Sequence, residues 1–156
     1  METIQEQTTD TITVIQSLVE GLNATDRKDF THWRTLLADE LTIDFGGVKP
    51  AQTIKADDLV AWAKVAYQDM ITMHMSFNHE VTLDQQQAHV YSYGRALHRQ
   101  AVSVGEDYWF IYARYEHRLI KQDGVWKITR LQMTPVFEEG NSNLVNQAYE
   151  DARQQD

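Results

Sequence analysis

The chain has 156 residues, 42% of them hydrophobic, enough for one domain with a real core and too few for two ordinary ones. A formal net charge of -9, a pI near 5.0 and the lack of any Lys/Arg cluster argue against nucleic acid or an anionic membrane as a partner. There is no cysteine, so disulfides, thiolate nucleophiles and zinc–sulfur sites are excluded.

The opening METIQEQTTD has neither a basic nor an apolar leader-like stretch, and no run approaches the roughly 18 apolar residues of a membrane span. The expectation is a soluble, cytoplasmic protein. From Thr3 to Leu22, apolar residues recur at Ile12, Ile15, Leu18, Val19 and Leu22, which predicts a helix with one buried stripe. Gly21, Asn23 and Thr25 loosen it, and Thr25 or Asp26 is expected to cap a second helix carrying Phe30, Trp33, Leu36 and Leu37 on one face. Alternation of Leu41, Ile43 and Phe45 predicts a short strand ended by a turn at Gly46-Gly47. A third helix is expected from Lys55 to about Asp69, capped near Asp57, with Leu59, Val60, Trp62, Ala63 and Ala66 on its apolar side.

Beyond it the period changes to two. Strands are predicted over roughly Thr72–Leu83, Ala88–Val102, Tyr108–Lys121 and Val125–Val136, with Asp123-Gly124 as a strong hairpin signal. Helices followed by a meander give an α+β fold, with the helices on one face of a strongly curved, mainly antiparallel sheet and a hollow beneath them. One domain is assigned to residues 1–137. Residues 138–156 read as an acidic tail, in which Leu144, Val145, Ala148 and Tyr149 allow a loose, frayed helix.

The order of elements and four phrases resemble the nuclear-transport-factor-2-like superfamily, in particular its SnoaL-like and scytalone-dehydratase-like members. The phrases are TDRKDFTHWRTLLADELTIDF at 25–45, TMHM at 72–75, RALHR at 95–99 and YWFIYARYEHRLIKQDGVWKITR at 108–130. The resemblance implies a cone-shaped, cystatin-like domain that commonly dimerises through its sheet. It also implies a site in which an aspartate at the helix–helix corner orients one histidine while a second histidine comes from the preceding strand. Asp26, His98 and His74 stand at those places as candidate catalytic residues. Thr25 and Phe45 stand where the family has two tyrosines, and Ala113 and Tyr115 where it has a serine and an asparagine.

A histidine near its ordinary pKa of about 6.5 takes and gives protons at neutral pH, which suits elimination, isomerisation or aldol-type cyclisation without metal or nucleotide. The expected assignment makes His98 the base, Asp26 its orienter and His74 the acid or electrophile. No cofactor and no metal site is expected; His79 and His89 lack a carboxylate pattern with metal-ligand order.

Parity adds a check, since residues two apart on a strand share a face. With His98 pointing into the hollow, Ala96, Gly94 and Ser92 follow it, and Trp109, Ile111, Ala113, Tyr115 and His117 form the matching face of the next strand. Phe45, Trp62, Trp109, Ala113 and Tyr115 are the expected pocket-lining residues. Tyr108, Phe110 and Tyr112 make the opposite face aromatic too, which points to a homodimer through the sheet.

The leading functional reading is a cofactor-independent lyase or isomerase, dehydratase-like, acting on a small cyclic, largely apolar carbonyl or hydroxyl compound. The alternatives are a non-catalytic ligand-binding or assembly domain of the same fold and a polyketide-cyclase-like enzyme. Each histidine taken singly is readily a structural residue, and Asp26 readily a helix cap.

Overall fold

A computed structural model describes residues 3–46 and 50–154, so Gly47 of the expected turn lies outside the described residues. Four helices, α1 (Ile4–Asp26), α2 (Phe30–Thr35), α3 (Ala56–Ala66) and α4 (Leu144–Arg153), accompany six strands. These are β1 (Leu37–Asp44), β2 (Gln52–Lys55), β3 (Ile71–Asp84), β4 (Gln87–Arg99), β5 (Tyr108–Gln122) and β6 (Val125–Gly140). They form one sheet in the order β2-β1-β6-β5-β4-β3, antiparallel throughout except for the parallel pair β1–β6. The α+β class follows as expected, and register shifts in β3–β4 and β5–β6 bend the long strands.

The first helix departs from its expected limits. Thr3 and Glu6 build a capping box at its start, and the helix then runs through Gly21 to Asp26 without a corner. Thr25 does not cap the next helix, because its hydroxyl donates to the Gly21 carbonyl at 2.9 Å. Asp26 does not cap it either, because its carboxylate is bonded to β3. Asp29 takes that role, accepting from the His32 backbone N–H at 3.0 Å. Likewise α3 ends at Ala66 and starts after Lys55 without a side-chain cap, while Asp57 is held by Arg34 at 2.6 Å.

The main core lies between the helices and the concave face of the sheet. Val14 and Leu18 of α1, Val60 and Ala63 of α3, Leu37 and Leu41 of β1, Val90 of β4, and Leu119, Trp126 and Ile128 of β5 and β6 are buried there. The parity expected for β4 is realised: Ser92, Gly94, Ala96 and His98 are buried, while Tyr93 and Arg99 are exposed. On the convex face the Arg95 guanidinium lies over the rings of Phe110 and Tyr112, at 5.2 and 5.1 Å.

The C-terminal segment is not a loose tail. β6 continues to Gly140, and α4 docks Leu144, Val145 and Ala148 onto Ala66 and Met70 at the end of α3. Leu144 is 0% exposed, so the short apolar stripe is sufficient to join the helix to the domain. Among the described residues, no helix is long and apolar enough to cross a membrane.

Candidate active site

The last residue of α1 meets the edge strand β3. Asp26 Oδ1 lies 2.7 Å from His74 Nδ1 and accepts from the Thr72 hydroxyl at 2.9 Å, while Oδ2 accepts from the His74 backbone N–H at 2.8 Å. A carboxylate only accepts, so Nδ1 of His74 bears a proton, and in the neutral ring Nε2 is the nitrogen left with a lone pair. Burial alone would raise the Asp26 carboxyl, but bonds from the His74 ring and backbone N–H, the nearby imidazole and the Thr72 hydroxyl together hold it below the ordinary carboxylate value. The pair is recessed and still reachable, with side-chain exposures of 19% for Asp26 and 16% for His74.

This exchanges the expected partners. The structure places the Asp26 carboxylate on His74 and not on His98, because His74 sits on the edge strand beside the end of α1 whereas His98 lies one strand inward on β4. The three side chains do come together. The His98 ring meets the His74 ring edge-on at 5.2 Å, stacks on Trp109 at 4.9 Å and lies 6.0 Å from Tyr67.

His98 is 3% exposed, and burial, with His74 adding to it, pushes its pKa down to about 3 against weaker opposition from the Trp109 backbone and Asp26. It is therefore a neutral imidazole at physiological pH, and its buried Nδ1 has no partner among the described residues. A neutral imidazole can polarise a carbonyl or hydroxyl, and a carboxylate-backed imidazole can accept a proton, so the arrangement has the groups that acid–base chemistry needs.

The expected lining residues divide into two groups. Trp109 stacks on His98, and Ala113 is buried with Ala96 and Ile111 on the same concave face. Tyr115 packs on that cluster, and burial pushes its phenol up to about 12. Trp62 reaches the site through Tyr67, with ring centres 5.8 Å apart. Phe45 does not join them. It is 51% exposed and lines a cleft of about 480 Å³ with Ile54, Leu59 and Trp62, away from His74 and His98 because β1 is separated from β4 by β6 and β5; Trp62 thus borders that cleft as well as Tyr67.

Three participants escaped the sequence reading. Thr72 is indistinguishable by pattern from any strand threonine. Tyr67 follows the last turn of α3, and burial raises its phenol above the ordinary value. Lys28 occupies a left-handed backbone position beside the site, and a lysine just past a helix end, where glycine is usual, was the available signal. Among the described residues, no three His, Asp or Glu side chains converge as metal ligands do.

Residues 7–132 match the SnoaL-like domain. The chain belongs to this family. No curated protein matches it in sequence. Among solved structures, the Kfla4162 protein from Kribbella flavida is 26% identical with a TM-score of 0.82, covering 90% of this chain and 99% of that one. A protein provisionally assigned as a scytalone dehydratase from Novosphingobium aromaticivorans is 15% identical with a TM-score of 0.75, covering 85% and 88% of the two chains. The hexachlorocyclohexane dehydrochlorinase LinA-type3 from Novosphingobium barchaimii is 16% identical with a TM-score of 0.69, covering 87% and 92%. The SnoaL-like chain thus has the fold of these neighbours, which other similar structures name as cystatin-like and nuclear-transport-factor-2-like.

Proposed function

We propose that this SnoaL-like protein is a cofactor-independent lyase or isomerase in which His74, oriented by Asp26, removes a proton from carbon in a small cyclic, largely apolar carbonyl or hydroxyl compound. The observation that carries this reading is the pair of hydrogen bonds from the His74 ring and backbone to the Asp26 carboxylate, which fixes the tautomer and aims Nε2 away from the carboxylate. Neutral His98 is the partner that polarises the substrate oxygen, and Trp109, Tyr67, Ala113 and Tyr115 supply a flat, largely apolar wall. The names of two neighbours, a dehydratase and a dehydrochlorinase, denote eliminations, a reaction class in which a proton is lost from carbon.

The test is α-proton exchange of cyclohexanone, 2-cyclohexenone and 1-tetralone in D2O, followed by NMR. Exchange above the buffer rate that disappears in His74→Gln supports the base. If no compound exchanges while the same compounds bind, the domain is a binding module and the catalytic reading fails.

We further propose a homodimer through the convex sheet face, a reading supported by the exposure of Ile71, Met73, Phe77, Tyr93 and Phe137. Sedimentation of Tyr93→Glu/Phe137→Glu against wild type checks it: loss of a dimeric wild-type species supports the face, and an unchanged species argues against it.

A further inference from the structure

The turn that ends α1 is a Schellman motif. The Lys28 N–H donates to the Thr25 carbonyl at 3.1 Å and the Asp29 N–H to the Ala24 carbonyl at 2.8 Å, which puts Lys28 at the left-handed position with φ 62°. Glycine is the usual occupant there, and a lysine accepts backbone strain that glycine avoids. Its side chain then folds back over the Tyr67 ring, 5.6 Å from the centroid, and Nζ donates to Thr72 Oγ1 at 3.2 Å. Thr72 in turn donates to Asp26, so the ammonium stands one hydroxyl away from the carboxylate. Burial lowers the Lys28 pKa, with Asp26 acting against it. Among the described residues Thr72 is its sole hydrogen-bond acceptor, so two of the three ammonium donors remain to be offered.

We propose that Lys28 is a further catalytic residue whose ammonium binds the negative charge formed when His74 takes the substrate proton, an inference that rests on the base reading above. In an elimination the C–H electron pair becomes the new π bond, the proton goes to His74 Nε2, and the leaving group departs as an anion with its bonding pair. In an isomerisation the C–H pair becomes the C=C bond of an enolate while the carbonyl π pair moves onto oxygen. Either anion is held by Lys28, which keeps its own proton. The substrate class is thereby narrowed to cyclic compounds that release or develop an anion next to the carbon losing its proton.

The strained lysine makes the test informative. Benzoate and its neutral counterpart benzamide are titrated by NMR into wild type, Lys28→Gly, Lys28→Met and His74→Gln. Benzoate is expected to bind wild type about tenfold more tightly than benzamide, the size of one charge-assisted hydrogen bond. That preference persists in His74→Gln and vanishes in both Lys28 variants. Lys28→Gly is expected to melt at or above the wild-type temperature, so its loss of preference is not unfolding. No benzoate binding to wild type, equal affinity for the two compounds, or a preference that survives Lys28→Gly overturns the proposal. Failure of the base reading shows instead as unchanged α-proton exchange in His74→Gln.

Discussion

Asp26 grips His74 at two points, the ring Nδ1 at 2.7 Å and the backbone N–H at 2.8 Å, across 48 residues of sequence. The imidazole is thereby fixed in tautomer and the strand beneath it in position. Asp26→Asn removes the charge and leaves an amide to satisfy three donors. Turnover is expected to fall by about 10²–10⁴, the usual worth of a positioned general base, with secondary structure retained. Steady-state kinetics beside far-ultraviolet circular dichroism check this, and an Asp26→Asn variant with wild-type kcat would remove the orienting role.

Acid should unfold the protein in two stages. His98 and His117 are buried neutral, with pKa values lowered by burial to about 3 and about 4, so the unfolded chain binds protons that the folded chain does not. Stability is full above the ordinary histidine value near pH 6.5 and declines as pH falls from there toward 4, by an order of a few kcal/mol. Asp26, whose carboxyl is depressed, adds its own loss below its ordinary value of 3.8. Urea midpoints between pH 7 and 4 test this. His117→Phe should flatten the upper stage, and an equally steep decline in that variant would refute its part.

Gly94 allows Tyr115 to lie across the concave face. A Cβ at position 94 would stand 2.3 Å from Tyr115 Cε2, closer than side chains tolerate. Gly94→Ala should therefore cost about 1–3 kcal/mol, and Tyr115→Leu in the same chain should recover much of it. Additive losses in the double variant would show that the clash is relieved elsewhere.

The docked C-terminal helix supports the wall of the site, since its apolar cluster also takes in Trp62, Tyr67 and Trp109. Leu144→Ala is expected to destabilise the domain by about 2–5 kcal/mol. It should also loosen the aromatic wall, seen as a shift in tryptophan fluorescence. A change confined to fraying of residues 144–153 by hydrogen exchange would mean that α4 is an independent appendage.

What could be read from sequence followed local rules. The period-two face of Ser92, Gly94, Ala96 and His98 was legible because one strand dictates it, and Asp26, His74 and His98 were legible as chemical types. The partner of Asp26 was not, because it depends on which strand is the open edge, and edge order is a property of the whole sheet. The same applies to Phe45, whose strand joins the far side through the parallel pair β1–β6. β2 escaped because four residues, Gln52–Lys55, carry too little pattern, and the docking of α4 escaped because the stripe of Leu144, Val145 and Ala148, legible in itself, does not reveal that Ala66 and Met70 receive it.

The bond from Asp26 to the His74 backbone has a consequence for solubility. β3 is an outer strand, and an open strand invites another chain to pair with it. The carboxylate occupies one of its outward N–H groups, next to the exposed side chains of Ile71 and Met73. The group that prepares the base therefore also acts as a stopper against self-templating, and an Asp26→Ala variant, unlike His74→Gln, will expose a sticky margin along with an idle histidine.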